Sequence, residues 1–119
     1  MNITGLVFVG LGGFLGAIAR FAISQTFNRN KAFPYGTLIV NLLGSFLLGF
    51  LVGFKVADLV YLFLGTGFLG AFTTFSTLKS EMWKMLEAKK VGSFIRYICL
   101  TYCLGILLAF FGYSLGNLM

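Results

Sequence analysis

Four apolar stretches of about 20 residues, separated by short polar segments, dominate this chain of 119 residues. A helix of that length crosses the hydrocarbon core of a bilayer, which is ~30 Å thick. Charged residues make up only 10% of the chain, whereas a soluble domain carries about a quarter. The basic residues that give the net charge of +6 lie mainly between the apolar stretches. The pattern predicts an integral membrane protein. It excludes a soluble enzyme and a disulfide-rich secreted module, and it does not indicate a protein that binds nucleic acid.

The stretches predict an all-α fold with four transmembrane helices in a single domain, residues 1–119. The expected spans are residues 4–27, 34–54, 59–78 with an amphipathic extension to 88, and 93–118. Asn28 to Lys31 is expected to form a polar turn. Pro34 is expected to open the second span, because a proline in the first helical turn loses no hydrogen bond. We therefore expect a multi-pass protein of the cell (inner or plasma) membrane.

The residues that are absent limit the chemistry. The chain has no histidine and only three acids, which lie at or beyond the ends of the apolar stretches, so no carboxylate pair can serve as a proton relay inside the membrane. Cys99 and Cys103 are four residues apart on one predicted helix, a spacing that suits a disulfide poorly and supplies too few ligands for zinc. They are expected to be free thiols that pack as small apolar residues.

Pairs of glycines four residues apart recur in three of the spans. Small residues on one helix face let neighbouring helices approach closely in a membrane. The pattern therefore predicts a tightly packed bundle. The pairs are Gly12 with Gly16, Gly49 with Gly53, and Gly112 with Gly116.

The third span is unusually polar in its middle. Residues 65–77 contain three glycines and five hydroxyl residues, and both types weaken a helix. A broken helix at mid-membrane is a common construction for ion sites, where freed carbonyls bind a cation. The other interpretation is an intact helix whose hydroxyls bond back to the preceding turn. If the backbone at Gly70 needs a positive φ, any side chain there would disturb a break.

Two polar side chains lie within the other spans. Asn41 is the one amide of the second span, and an amide in apolar surroundings is costly unless it is hydrogen-bonded. It either joins two helices or donates to a passing anion. Arg20 lies on the same helix face as Gly12 and Gly16, where it could cap helix carbonyls, reach the interface or line an anion vestibule.

Several segments resemble the bacterial fluoride channel family, the CrcB or Fluc proteins. The resemblance covers nearly the whole chain, and its blocks in the first three spans are residues 12–21 (GGFLGAIARF), 34–46 (PYGTLIVNLLGSF) and 67–77 (GFLGAFTTFST), the last followed by Glu81. In the fourth span Tyr97, Thr101 and Gly105 have the spacing of the family's Tyr, Ser and Gly.

The resemblance implies a passive channel, not an enzyme, through which fluoride leaves the cytoplasm. It further implies an antiparallel dimer of four-helix subunits, in each of which the third helix is broken at mid-membrane. The pores would run along the subunit interface, and a structural Na⁺ would lie at the centre of the dimer. The sodium ligands would be the carbonyls of Gly70 and Thr73. The implied ion pathway comprises Asn41, Phe75, Ser76, Thr77, Leu78 and Tyr97, and the vestibule or structural positions are Arg20, Glu81 and Thr101.

The chain departs from the family pattern in two ways. Leu78 stands where the family usually has a second Phe, which would offer an electropositive ring edge. Eight of the nine basic residues, all but Lys55, fall toward one side of a four-span topology. The positive-inside rule then places residues 28–33 and 88–92 in the cytoplasm. The expected partner is either a second copy of the chain or a related subunit of opposite orientation.

Two other functions are compatible with this size. A small proton-coupled multidrug exporter would need a membrane-embedded carboxylate, and none lies inside the first three spans. A non-transporting helper protein in the lipid bilayer would need neither a broken helix nor a row of polar side chains. The sequence therefore favours the channel.

Overall fold

A computed structural model describes residues 2–27 and 33–119 of the chain. Within those ranges the protein is helical and has no strand. Four helical spans are long and apolar enough to cross a membrane, as predicted. The predicted turn from Asn28 to Lys31 lies outside the described residues. The helices are α1 (Ile3–Phe27), α2 (Tyr35–Phe54), α3 (residues 58–72), α4 (Phe75–Glu87) and α5 (Val91–Leu118), with α3 and α4 forming the third span.

The helix boundaries differ from the predicted ones by small amounts. Pro34 precedes α2 as its N-cap, and its carbonyl accepts the N–H of Leu38 at 3.1 Å. The last span begins at Val91 rather than at residue 93. The larger difference is in the third span, where the chain is interrupted after residue 72 and residues 75–78 belong to the amphipathic helix α4.

Two parts of the spans are wound more loosely than an α-helix. The backbone is π-helical over Tyr61–Leu69 in α3 and over Leu100–Leu104 in α5. Such segments are rare and are often found near functional sites. The one in α3 contains Gly65 and Gly67 and leads directly to the interruption. The glycine-rich half of the predicted break therefore remains helical.

The first glycine pair brings α1 against α3. A Cβ atom added to Gly12 would overlap the carbonyl oxygen of Phe63, and one added to Gly16 would overlap that of Phe68. Both glycines are buried. The absence of side chains therefore lets the two backbones touch, as expected where helices associate by close packing.

The other two pairs bring α2 and α5 together from both sides. Each helix presents its glycines to the backbone of the other, which confirms the predicted tight packing. The residues whose backbone a Cβ would meet are Ala109 for Gly49, Tyr113 for Gly53, Phe46 for Gly112 and Phe50 for Gly116. The bundle thus consists of two closely packed pairs, α1 with α3 and α2 with α5.

Helix α4 packs one face on the bundle and exposes the other. Leu78 and Met85 are buried in a cluster with Tyr97 of α5. On the opposite side Trp83 is 64% exposed. This amphipathic distribution agrees with the extension predicted for the third span, although the helix begins earlier, at Phe75.

The outer surface of the bundle is apolar. Large hydrophobic side chains such as Phe14 and Phe21 of α1, and Phe110 of α5, are more than half exposed, as expected of helices that face lipid. Cys99 and Cys103 are free, as predicted, and both are exposed rather than packed inside the subunit. The fold is that of a multi-pass membrane protein.

Candidate functional site

Two threonines interrupt the third span. Thr73 and Thr74 have extended backbones, with φ and ψ of −83° and 160° and of −150° and 122°. The N–H and the hydroxyl of Thr73 both donate to the carbonyl of Leu69, each at 3.0 Å, so α3 ends there. The hydroxyl oxygen of Thr74 accepts the N–H of Thr77 at 3.2 Å, which is the usual way that threonine begins a helix. The broken helix predicted from sequence is therefore present, at these two residues.

Asn41 of α2 holds the interruption in place. Its side-chain Nδ2 donates to the carbonyl of Thr74 at 3.1 Å, and its Oδ1 accepts the N–H of Thr74 at 2.8 Å. The amide thus contacts both backbone groups of an extended residue, and it satisfies an N–H that has no helical partner there. A side-chain amide has two N–H donors, and one of them is committed to Thr74. Of the two roles that the sequence left open, the structure shows the interhelical bond directly.

The same bond frees a carbonyl in α3. In a continuous helix the N–H of Thr74 would donate to the carbonyl four residues earlier, which belongs to Gly70. Here Asn41 takes that N–H, so the Gly70 carbonyl loses its helical donor. Gly70 is exposed at the end of α3. An open carbonyl at this depth needs a polar partner, because hydrocarbon cannot supply one.

The conditional expectation about the backbone of Gly70 is wrong. Its φ is −60°, an ordinary helical value, and no described glycine has a positive φ. A Cβ at this position would meet its nearest atom, the carbonyl oxygen of Gly65, at 3.9 Å, which is ordinary contact. Within one subunit, therefore, a small side chain at Gly70 causes no strain.

Beside the interruption lies an open groove of about 490 Å³ between α2, α3 and α5. Its lining is mostly apolar, with a few polar groups from Asn41, Ser45, Thr74 and Thr101. No charged side chain is among its described lining residues. The hydroxyl of Thr101 is buried, and it has no hydrogen-bond partner among the described residues. The groove therefore offers donors without a fixed charge.

The groove brings together part of the predicted site. Each residue named here contributes to its lining: Asn41, Gly70, Thr73, Phe75, Leu78 and Thr101. Other predicted residues lie outside it: Arg20, Ser76, Thr77, Glu81 and Tyr97. Phe75 is 63% exposed at the start of α4, so one face of the groove is open in the single subunit.

Ser76 and Thr77, two of the predicted pathway residues, are exposed on α4 rather than enclosed. The hydroxyl of Thr77 accepts a hydrogen bond from that of Thr74 at 3.2 Å. It is therefore already part of the helix cap, with its own donor still available. Leu78, in contrast, is 3% exposed and packs into the subunit core.

Glu81 of α4 and Tyr97 of α5 form a polar pair. The Tyr97 side chain is fully buried, and its hydroxyl donates to Oε1 of Glu81 at 3.2 Å. The ring of Phe33 meets the Tyr97 ring edge-on, with centroids 5.6 Å apart. The buried Thr37 of α2 lies next to the pair. These contacts fasten α4 to α2 and α5 at one end of the bundle.

Arg20, the predicted vestibule or structural residue, lies near the end of α1 and is partly exposed. It follows the buried Gly12 by about two helical turns and the buried Gly16 by about one. Since those glycines contact α3, Arg20 continues the same face of α1. It lies outside the groove.

Two functional positions were missed by the sequence analysis. Thr74 was only one hydroxyl among several, although a threonine three residues before Thr77 at a helix start is a capping signal. Gly44 lies one turn after Asn41, and a Cβ there would overlap the methyl group of Thr73. Both residues allow α2 to approach the interruption.

A cation at the interruption would have to bind neutral oxygens. Among residues 2–27 and 33–119, no group of three or more His, Cys, Asp or Glu side chains could hold a metal ion. Gly70 and Thr73 line the groove instead, and their backbone carbonyls are neutral oxygens. Neutral carbonyl oxygens suit hard cations rather than zinc.

Taken together, the fold and the groove define a class of small four-span membrane proteins whose third helix is interrupted and clamped by an amide from the second. The sequence matches the family described as "CrcB-like protein, Camphor Resistance (CrcB)" over residues 7–113. That range is nearly the whole chain. The protein belongs to this CrcB family, as the sequence resemblance indicated.

Similar proteins carry a more specific description. A protein of Geobacillus kaustophilus named "Fluoride-specific ion channel FluC 1" is 51% identical over 112 residues, which are 93% of this chain and 97% of that protein. "Fluoride-specific ion channel FluC 2" of Bacillus cereus is also 51% identical, over 92% of this chain and 95% of its own. "Fluoride-specific ion channel FluC 1" of Listeria innocua is 45% identical over 91% of this chain and 93% of its own.

Proposed function

We infer that this protein is a fluoride-selective ion channel and not an enzyme. The observation that carries the inference is the identity of 51%, over more than nine-tenths of both chains, with proteins named as fluoride-specific channels. We further propose that fluoride moves passively, out of the cytoplasm and across the cell membrane. The multidrug exporter and the non-transporting helper have no comparable support.

The chemistry of the groove supports this function. Fluoride is small and strongly hydrated, so a pathway must replace its water with donors without binding the ion too firmly. The second N–H of Asn41 and the hydroxyl of Thr101 are donors at the groove, and the Phe75 ring has an electropositive edge. Ser76 and Thr77 add hydroxyls on α4. With Leu78 and Tyr97 they make up the proposed ion pathway, while Arg20 and Glu81 are proposed to act at the vestibule or in the structure.

We propose that an antiparallel partner closes the groove. In one subunit Phe75 and Gly70 are exposed beside the interruption, and its polar backbone would otherwise face hydrocarbon. A second copy, or a related subunit of opposite orientation, would bring two interruptions together and bury both. The bias of basic residues toward one side favours the related subunit in cells.

A structural Na⁺ at the dimer centre fits the residues present. The interruption leaves the Gly70 carbonyl without its helical donor, and Thr73, whose backbone is extended, lines the same groove. Two subunits would together present four such oxygens around one point. Bound there, a sodium ion would neutralise carbonyl dipoles that face one another, while the protein's own contribution is the geometry that Asn41 enforces.

Fluoride efflux from liposomes tests the function. Purified protein is reconstituted into vesicles loaded with potassium fluoride, and release is followed with a fluoride electrode after addition of a potassium ionophore. Fluoride is expected to leave down its gradient while chloride stays in a parallel experiment. Vesicles without protein are the control. Equal rates for both anions, or a requirement for a proton gradient, would contradict the inference.

Cysteine labelling tests the arrangement. In a Cys99→Ala, Cys103→Ala background, Lys55→Cys and Lys90→Cys are treated separately with an impermeant thiol reagent outside intact cells. The two positions lie at opposite ends of the bundle. Labelling of both variants would show that the chain inserts in both orientations, as a self-paired antiparallel dimer requires. Labelling of one alone would show a fixed orientation, which leaves the related subunit as the antiparallel partner.

A further inference from the structure

A fixed positive charge lies next to the most exposed aromatic ring of the groove. Lys79 follows Phe75 by one turn of α4, and its Nζ stands over the face of the Phe75 ring, 5.8 Å from the centroid. Both side chains are exposed. The described part of the chain provides no carboxylate that forms an ion pair with Lys79. The charge therefore acts on its surroundings without a compensating partner.

The position of the ammonium group matters for the ring. An aromatic face is electronegative and its edge electropositive, so a cation is attracted to the face. A cation held there also draws electron density toward itself, which makes the edge hydrogens more positive. The polarised ring thus attracts an anion at its edge more strongly. At the same time, the ring separates the ammonium group from that anion.

This separation suits a channel. A charge that touched the permeating ion would hold it firmly, and conduction requires that the ion can leave again. The lining of the groove itself contains no charged residue among those described. Lys79, placed behind Phe75, supplies a positive potential at the groove without entering it.

We propose that Lys79 is a further residue of the ion pathway, whose ammonium group on the face of Phe75 strengthens the ring edge as a fluoride contact and raises the local fluoride concentration. This proposal rests on the proposed function. A failure of the wild-type protein to release fluoride would refute that function, whereas the comparison of variants below concerns Lys79 alone.

The test compares Lys79→Gln with two controls. Lys79→Arg keeps the charge over the ring. Lys84→Gln removes an exposed charge from the same helix, five residues later and about 140° around its axis. For an anion roughly 9 Å from the ammonium nitrogen, at the far edge of the ring, an effective dielectric constant of about 55 to about 27 gives a change in local anion binding of about three- to tenfold. We expect the initial rate of fluoride efflux to be lower by the same factor in Lys79→Gln than in the wild type, at low fluoride and an ionic strength of about 10 mM. Both control variants should release fluoride at nearly the wild-type rate.

Salt and a second substitution test the mechanism. The Debye length falls from ~30 Å at 0.01 M to ~3 Å at 1 M, so about 1 M potassium gluconate on both sides is expected to reduce the difference to less than about twofold. In a Phe75→Leu background, Lys79→Gln is expected to change efflux less than it does in the wild type, because the ring that transmits the charge is gone.

Three results would overturn the proposal: unchanged efflux for Lys79→Gln at low salt, an equal fall for Lys84→Gln, or the same effect of Lys79→Gln with and without Phe75. A misfolded Lys79→Gln variant would not end the test. Lys79→Cys, in the background without native thiols, can be modified after folding with 2-aminoethyl methanethiosulfonate, which restores an ammonium group. Restored efflux supports the proposal, and no gain over the unmodified variant contradicts it.

Discussion

Asn41→Leu tests whether the amide of α2 is what holds the third span open. Leucine has the same branching as asparagine, with two somewhat larger methyl groups in place of the amide oxygen and nitrogen, so the substitution removes the polar contacts and keeps the shape of the side chain. It eliminates the two hydrogen bonds to Thr74, of 3.1 and 2.8 Å. The N–H of Thr74 then loses its partner in a part-buried position, and its carbonyl loses one of its two donors, since the carbonyl of an N-cap residue also accepts the first N–H of its helix.

The structure allows the size of this effect to be estimated. Hydrogen bonds between helices in a membrane protein contribute about 0.6 kcal/mol on average and at most about 1.7. Two bonds to the same residue, with its orphaned N–H in apolar surroundings, place the loss in the upper part of the combined range, about 2–3 kcal/mol. Since about 1.4 kcal/mol corresponds to a factor of ten, the unfolding equilibrium should shift roughly 30- to 150-fold.

Unfolding in mixed micelles with increasing sodium dodecyl sulfate measures the shift. Trp83, the single tryptophan of the chain, lies on α4 beyond the interruption, and its fluorescence reports on that half of the span. Asn117→Leu is the matched control, because Asn117 is exposed near the end of α5. If Asn41→Leu unfolds within about 0.5 kcal/mol of the wild type, the two bonds do not stabilise the interruption and the interpretation of Asn41 as its clamp is wrong.

Asn41→Asp separates the structural role from a role toward the ion. The carboxylate keeps the acceptor for the Thr74 N–H but replaces the donor with a second acceptor, which faces the Thr74 carbonyl and repels an anion. We expect fluoride efflux to fall sharply while the dimer still forms. A variant with near-normal efflux would leave Asn41 with its structural role alone.

Three further predictions concern packing, the interruption and sodium. Gly49→Val places side-chain atoms into the backbone of α5 and should cost at least about 3 kcal/mol, seen as loss of a monodisperse elution profile. Gly10→Val, where no atom lies within 4 Å, is its control, and equal behaviour of the two would contradict the packing argument. Gly70→Ala should leave the helix content by circular dichroism unchanged but weaken dimerisation on dilution in detergent, because its methyl group would lie where the proposed partner approaches, and an intact dimer would contradict a close approach of the partner at Gly70. Replacement of Na⁺ by N-methylglucamine should lower the stability of the dimer, and a dimer indifferent to sodium would contradict a structural ion.

The sequence was sufficient to predict the four spans because their signal is local. An apolar run of about 20 residues must span a membrane whatever its neighbours do. The glycine pairs were equally informative, since two glycines on one face allow close contact with almost any helix. Their partners were not predictable, because nothing in the chain indicates that Gly12 meets Phe63 rather than another backbone.

The interruption was predicted as a region but not as a position. Three glycines and five hydroxyl residues made residues 65–77 a weak helix, yet Gly65 and Gly67 remain helical, and Gly67 contacts Val9 of α1. The extended residues are Thr73 and Thr74, and what selects them is Asn41, 33 positions before Thr74 in the chain. Local propensity cannot contain that information, because it depends on how α2 packs beside α3.

The ion pathway was the part of the site that could least be predicted from the sequence. Resemblance alone placed Tyr97 in it, and in the single subunit Tyr97 is buried against Glu81, away from the groove. Its role in permeation stays a prediction. A pathway between two subunits is formed by surfaces that one chain leaves exposed, such as that of Phe75, so neither the pattern of one sequence nor one subunit contains its walls.

One hydrogen-bond exchange links the fold to the proposed function. When Asn41 takes the N–H of Thr74, it stabilises an extended residue that a lone membrane helix could not keep, and it also removes the donor of the Gly70 carbonyl. The first consequence is favourable within the subunit, whereas the second leaves a polar group that costs several kcal/mol in hydrocarbon. That cost can be offset only by a partner or an ion that meets the carbonyl. The amide that clamps the interruption therefore also creates a need for a polar partner at this carbonyl, which the proposed second subunit or sodium ion would supply, and the groove beside it is where a small, strongly hydrated anion would find its donors.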